Sequence, residues 1–272
     1  MKRIPLGSLE VPAIGLGTYK LTGQAAIESM LEAFRLGYRL IDTAQLYMNE
    51  EEVGHAMSQS GIPRKDFILI TKVWPTHFSK HQFIPSVKES LEKLQTDYVD
   101  LLLIHWPHPH LQVIQYIEYL AQAKEESMAK EIGVSNYNIE QLKSALQLNI
   151  PIVVNEIEYH PWIDQNVVHH YMKQMGLPVI AYTPLGRGLT TKDPVIATIA
   201  KSHQKQPAQI VLRWMMEQDD IVAIPKASSA AHLLQNISVF DFTLSDEEMR
   251  AINQLSDQDR RIVGAQPGAK WD

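Results

Sequence analysis

The stretch "YVDLLLIHWP", Tyr98–Pro107, decides the fold. From Val99 to Ile104 it is apolar at every position except Asp100, with no alternation of apolar and polar residues. A strand with one wet face alternates; a nearly continuous apolar run belongs to a strand covered on both faces, as in a parallel sheet flanked by helices. Seven further runs share this character: "AIGLGT", "YRLID", "FILITK", "EIGVSN", "IVVNE", "PVIAYT" and "IVAIPK". Between the runs lie amphipathic stretches such as Gln82–Leu94, Ile139–Leu148 and Pro207–Glu217, with apolar residues at helical spacing. This alternation, unbroken by any linker or low-complexity segment, predicts one α/β domain over residues 1–272, a closed (β/α)8 TIM barrel. The opening "KRIPLGSLEVP" reads as a β-hairpin turning at Gly7–Ser8 and is expected to close the bottom of the barrel. A doubly wound open sheet is the alternative. Against it, "GLGTYK" puts Lys20 where the dinucleotide fingerprint needs its third glycine, and no Walker-type phosphate loop is present.

Composition narrows the function. The 272 residues carry 25 basic and 31 acidic side chains, a formal charge of −6, which argues against a nucleic-acid partner. The absence of cysteine removes disulfides, thiol catalysis and cysteine-ligated metals together. No apolar run approaches the ~20 residues of a membrane span, and the N-terminus has no secretory apolar core. A cytoplasmic protein without a membrane partner is expected.

The runs also share a way of ending. They finish in Asp42, Lys72, His105, Ser135–Asn136, Asn155–Glu156, Tyr182 and Lys226, and in a barrel such ends converge on the C-terminal face. Any single polar strand end can be the start of a loop: Asp42 can cap the next turn, and Tyr47 can simply pack. Asp, Lys and His closing three successive runs, with Tyr47 just behind the first, carry more chemistry than that. A phenol is a poor acid at neutral pH unless a neighbour favours its anion. A buried lysine does so, and needs a carboxylate to stay charged. Asp42–Lys72–Tyr47 therefore reads as a relay in which Asp42 holds Lys72 and Lys72 lowers the Tyr47 pKa. His105 positions a carbonyl oxygen as charge develops on it. Such general-acid chemistry on a carbonyl needs a hydride source, and a nicotinamide cofactor is the natural one.

Taken in order, "GYRLIDTAQLYMNEEEVG", "ITKVW", "YVDLLLIHWP", "IGVSNYN", "NEIEYHPW" and "IPKASS…N" resemble the aldo-keto reductases, from about Ile4 to the C-terminus. The resemblance is strongest to short-looped bacterial members that reduce 2,5-diketo-gluconate and methylglyoxal. It implies a catalytic tetrad of Asp42, Tyr47, Lys72 and His105, with Tyr47 the proton donor. It also implies a carboxamide site at Ser135, Asn136 and Glu156, with Tyr182 stacked on the nicotinamide. Thr18, Tyr19, Thr183 and Leu185 would line the cofactor channel. Lys226, Ser228, Ser229, His232, Gln235 and Asn236 would hold the adenosine phosphate. The implied cofactor is NADPH, the substrate a small carbonyl and the assembly a monomer. His105 stands where relatives that reduce steroid C=C bonds carry Glu.

Three positions depart from the family pattern. Glu156 replaces a common Gln; an ionised carboxylate accepts hydrogen bonds but donates none, so Ser135 and Asn136 are expected to supply the donors. His232 replaces an Arg that pairs with the 2′-phosphate; an imidazole lacks the guanidinium fork, so some use of NADH is expected. Ala227 replaces a common Ser. Tyr19, Trp74, Trp106 and Trp271, with His105, are the candidate substrate-binding residues. The short loop "WPHPHLQV" and short tail suggest an open pocket for small carbonyls. Two other readings compete. One is a metal-dependent barrel hydrolase built on His105, His108 and His110, with His77 and His81 a weaker pair. No metal site is expected, because prolines separate the first three and no carboxylate cluster accompanies them. The other is a nicotinamide-binding sensor barrel with little turnover, for which Tyr47 and Lys72 together are superfluous.

Overall fold

The computed structural model describes residues 2–264 and 271–272. Strands β1 (Arg3–Leu6) and β2 (Leu9–Pro12) pair antiparallel and turn at Gly7, whose φ of +60° suits a residue without a Cβ. Eight strands then form one sheet in sequential order. They are β3 (Leu16–Gly17), β4 (Leu40–Asp42), β5 (Ile68–Val73), β6 (Val99–Ile104), β7 (Ala129–Ser135), β8 (Ile152–Glu158), β9 (Val179–Tyr182) and β10 (Ile221–Ala223). Each neighbouring pair is parallel.

The sheet curls back to its start. Gly15 N–H donates to Ala223 O at 2.8 Å, Ala223 N–H donates to Ala13 O at 2.8 Å, and Ile14 bridges Ala223 in parallel. At this seam a Cβ on Gly17 would lie 2.6 Å from Ile224 O, so the close approach of the first and last strands requires glycine there. The result is the α/β layout of a (β/α)8 fold. Helices α1 (Gly23–Arg35), α2 (Glu50–Gln59), α3 (Phe83–Lys93), α4 (Ile117–Glu125) and α5 (Ile139–Leu146) follow the first five of these strands. After β8 and β9 come α6 (Asn166–Gln174), α7 (Pro194–Ser202) and α8 (Pro207–Met216), and after β10 come α9 (Ala230–Ile237) and α10 (Asp246–Asn253). Among the described residues no helix is long and apolar enough to cross a membrane.

The three amphipathic stretches became α3, α5 and α8. Asn138 caps α5 by accepting from Gln141 N–H at 3.0 Å, and Pro207 starts α8, where a missing N–H costs nothing. All six residues of β6 are buried, as apolar continuity requires. Each leucine there contributes about 1.5–3 kcal/mol of burial. Two strand ends differ from the apolar runs by more than one residue. β10 stops at Ala223, short of Lys226, because Pro225 has no N–H to continue a ladder. β8 continues past Glu156 to Glu158, because its pairing with β9 extends to Glu158 opposite Tyr182.

The hairpin lies against the N-terminal ends of the strands. Ser8 N–H and Oγ–H donate to Glu131 Oε1, near the start of β7, at 2.9 and 2.6 Å. Lys2 Nζ donates to Met216 O and Gln218 O at 3.0 and 2.6 Å, at and just beyond the end of α8.

Candidate active site

The strand register builds the centre of the site. Asp42 on β4 lies opposite Ile70 on β5, so Lys72, two residues further on, projects to the same inner face. Lys72 Nζ is 2.6 Å from Asp42 Oδ2, 3.2 Å from Glu156 Oε1 and 3.1 Å from Thr43 O. The three charged side chains are at most 2% exposed. Tyr47 follows on a single 3-10 turn, Gln45–Tyr47. Asn49 anchors that turn: it accepts from Thr43 Oγ1 and donates to Thr18 O and Leu21 O, each at 2.8 Å. Lys72 Nζ thereby lies 5.2 Å from the Tyr47 ring centroid. His105, just past β6, sets its ring edge-on to Tyr47 at 5.6 Å and to Trp74 at 5.2 Å. Asp42, Tyr47, Lys72 and His105 are thus brought together.

The electrostatics follow from one cation among several acids. Burial works to lower the Lys72 pKa, but Asp42, Glu156 and Tyr47 outweigh it and the lysine stays charged. Burial raises the Tyr47 pKa above the usual phenol value. Lys72 pulls it down, as its position predicts, while Asp42 and Glu156 push it up. The expected pull of Lys72 on the phenol is present, and burial outweighs it. Burial, with Lys72 adding to it, drives His105 well below the normal imidazole value and keeps it neutral. Burial also raises Asp42, though Lys72 at 2.6 Å offsets part of that rise.

Asp42, Tyr47 and His105 open onto a cavity of about 450 Å³. Its walls include Tyr19, Trp106, Ser135, Asn136, Glu156 and Tyr182, and also Thr183, Leu185 and Lys226. Tyr182 O–H donates to Asn136 Oδ1 at 2.6 Å. Asn136 Nδ2 donates to His105 O at 3.1 Å and to Ser135 Oγ at 2.9 Å, and Ser135 Oγ–H donates to Glu156 O at 2.9 Å. Both residues expected to supply free donors have thus committed them to the protein. Two buried polar atoms in the cavity wall have no partner, His105 Nδ1 and Glu156 Oε2.

Other predicted residues stand back from this cavity. Thr18 is fully buried, its hydroxyl donating to Asp42 O at 2.8 Å. Trp74 supports His105, and Trp271 lies 6.0 Å from Trp106. Ser228, Ser229 and His232 are exposed on the approach to α9 and its first turn, with Ser229 Oγ accepting from His232 N–H at 3.3 Å. Gln235 and Asn236 lie further along α9, Asn236 buried, and Ala227 is buried too. His108 Nδ1 accepts from His110 and Leu111 N–H at 3.1 and 3.0 Å, which organises the loop after β6.

Several positions that line or support the cavity escaped the sequence reading. Lys20 and Arg187 line the cavity mouth, both with positive φ. Glu158 accepts from Ile262 and Val263 N–H at 2.6 and 2.9 Å and faces His160 Nε2 at 3.0 Å, fastening the tail so that Val263 forms part of the cavity wall. The signal for Glu158 was present: it stands two residues after Glu156 and so shares its face of the strand.

Comparison with known proteins agrees with this architecture. The sequence profile described as "Aldo/keto reductase family" matches residues 13–257. Methylglyoxal reductase DkgB of Escherichia coli O157:H7 is 40% identical over 268 residues, covering 97% of this chain and 100% of the relative. A crystal structure provisionally named 2,5-diketo-D-gluconic acid reductase B superposes with a TM-score of 0.97 at 39% identity, covering 100% of this chain and 98% of its own. An aldo/keto reductase from Brucella melitensis gives 0.87 at 36% identity, over 93% of this chain and 98% of its own. The chain belongs to the aldo/keto reductase family.

Proposed function

We propose that this protein reduces small aldehydes, ketones or dicarbonyls to alcohols with a nicotinamide cofactor, and that the one barrel carries the whole activity. The observation that carries this reading is Tyr47, half-buried on the cavity wall, with Lys72 5.2 Å from its ring and Asp42 2.6 Å behind the lysine. The cavity suits a nicotinamide: Tyr182 offers an aromatic face, and the unpartnered Glu156 Oε2 offers a polar atom for a carboxamide. When bound, the reduced nicotinamide supplies the hydride.

The chain's own residues do the rest. Tyr47 O–H gives its proton to the carbonyl oxygen, which becomes a stronger base than phenolate as it gains charge. Lys72 stabilises the phenolate left behind, and Asp42 keeps Lys72 charged and in place. Neutral His105 orients the carbonyl oxygen without adding a second cation beside Lys72. General-acid catalysis of this kind is worth about 10²–10⁴-fold in rate.

Lys226 at the cavity, Ser228 and Ser229 just before α9, and Gln235 and Asn236 on it would receive the adenosine phosphate, with NADPH preferred. His232 in place of an arginine leaves room for NADH. Substrates of methylglyoxal or 2,5-diketo-gluconate type are favoured by the relatives' names and by the short loops. Tyr19, Trp106 and Trp271 would contact them, with Trp74 behind His105. A cytoplasmic monomer completes the proposal.

The test compares NADPH and NADH oxidation rates over small aldehydes, dicarbonyls, keto-sugars and bulky steroids. Turnover of small dicarbonyls, faster with NADPH, is expected. Nicotinamide binding without turnover on any carbonyl would replace the enzyme with a sensor.

A further inference from the structure

A second cavity, of about 540 Å³, lies at the opposite, N-terminal end of the strands and takes no part in the reduction scheme. Its size falls within the range of small-molecule sites, about 300–1,000 Å³. Its charged wall comes from three places in the chain: Arg3 on β1, Arg39 directly before β4, and Lys65 and Asp66 on the 3-10 turn Arg64–Asp66 that leads into β5. Ile68 N–H donates to Arg39 O at 2.7 Å and ties the second of these to the third.

Charge sets this cavity apart. The chain carries a formal charge of −6, yet three of the four charged residues in this wall are cations. Other cations at the same end are paired. Arg64, beside Lys65, meets Asp100 at 2.9 Å, Lys130 meets Asp100 at 2.8 Å, and Lys124 meets Glu131. Among the described residues no carboxylate forms an ion pair with Arg3, Arg39 or Lys65, Asp66 included.

Arg39 is the fixed member of the group. Its Nη1 donates to Phe34 O and Tyr38 O at 2.9 and 2.7 Å, and the guanidinium lies 5.9 Å from the ring centroid of buried Phe67. The half-buried side chain is therefore held in place without any ligand. Its Nε and Nη2 hydrogens have no acceptor among the described residues and remain open to solvent. These two nitrogens form the fork that takes two oxygens of one anion. Arg3, whose Nη1 donates to Glu10 O across the hairpin, and Lys65 are both exposed and add charge from the other walls. A carboxylate balances one cation; a phosphoryl dianion offers two charges and three terminal oxygens, and so suits a fork with two further cations.

We propose that this cavity binds a phosphoryl dianion, with Arg39 as the bidentate anchor and Lys65 and Arg3 completing the charge. The dianion arrives either as free phosphate or as the phosphomonoester of a small polyol. Asp66 favours the second source, because a carboxylate repels a bare anion but accepts from a hydroxyl. The site is independent of the nicotinamide reading.

The test follows amide 15N–1H shifts as inorganic phosphate or glycerol 3-phosphate is added at mildly alkaline pH, with potassium chloride adjusted to hold ionic strength constant. Saturable shifts at Gly61, Ile62 and Asp66 are expected with both, and tighter binding of glycerol 3-phosphate identifies the phosphomonoester as the source. Equal affinity identifies free phosphate. Lys65→Glu, at an exposed position, should weaken both by about tenfold. Arg3→Glu should act in the same direction. Shifts that never saturate, or that potassium chloride alone reproduces, mean an ion atmosphere only and overturn the proposal. Unchanged affinity in Lys65→Glu overturns it, as do saturable shifts confined to Ser228 and Ser229 at the other end of the barrel.

Discussion

At the N-terminal end of the barrel, two buried carboxylates are oversupplied with donors. Asp100 accepts from Leu69 N–H at 3.0 Å and meets Arg64 at 2.9 Å and Lys130 at 2.8 Å. Glu131 holds Ser8 and Lys124. At the C-terminal end, Asp42 and Glu156 divide a single lysine, and Glu156 Oε2 and His105 Nδ1 have no partner. Satisfied polar groups rigidify a structure; unsatisfied ones beside a cavity wait for a ligand. The contrast separates the end that holds the fold from the end proposed to do the chemistry.

The sharpest way to break that contrast is Tyr47→Phe. Carbonyl reduction should fall by about 10²–10⁴-fold, with reduced-nicotinamide binding, read by fluorescence, retained. Activity within about tenfold of wild type would remove Tyr47 as the general acid.

Lys72→Met probes the shared cation. Breaking a buried ion pair costs about 3–5 kcal/mol, and here it leaves Asp42 and Glu156 facing each other. Both then hold protons more tightly folded than unfolded, because a charge on either is opposed by burial and by the other. Their folded pKa values lie above the unfolded ones, so stability is retained below the unfolded carboxylate range and lost as pH rises through the folded values. Urea denaturation should show a larger deficit at pH above neutral than in acid. A deficit independent of pH would mean the two carboxylates do not interact.

Asp100→Ala tests the other end. It strands the buried Leu69 N–H, at a cost of about 1–3 kcal/mol, while the partly exposed Arg64 and Lys130 return to water at little cost. The urea midpoint should drop with kcat/KM per folded molecule unchanged. A selective loss of kcat/KM would erase the division between the two ends.

The smallest effect belongs to His232→Arg on the exposed first turn of α9. One charge-assisted contact to a phosphate should shift the ratio of NADPH to NADH kcat/KM by about tenfold toward NADPH. An unchanged ratio would place the 2′-phosphate elsewhere.

Much of the arrangement was legible in the chain. The apolar continuity of "VDLLLIH" and its seven companions required strands covered on both faces, and all eight appear in sequential order. Asp42, Lys72 and His105 could be placed at neighbouring strand ends because strand order and side-chain alternation follow from local pattern. Glu158 was missed because apolar patterning marks where a core ends, while strand length depends on what the neighbouring strand offers to pair with. Lys20 and Arg187 were missed because their positive φ reflects turns set by the packing around them.

What the sequence by itself determined is the set of reactive groups and their order around the barrel, because those follow from periodicity and from residue identity. Only the tertiary structure decided their protonation and availability. Whether Tyr47 titrates down or up depends on how completely water is excluded and on how many carboxylates reach Lys72. Whether Ser135 and Asn136 can donate depends on which acceptors already lie within hydrogen-bond distance. Both are sums over residues far apart in the chain, and no local pattern carries them.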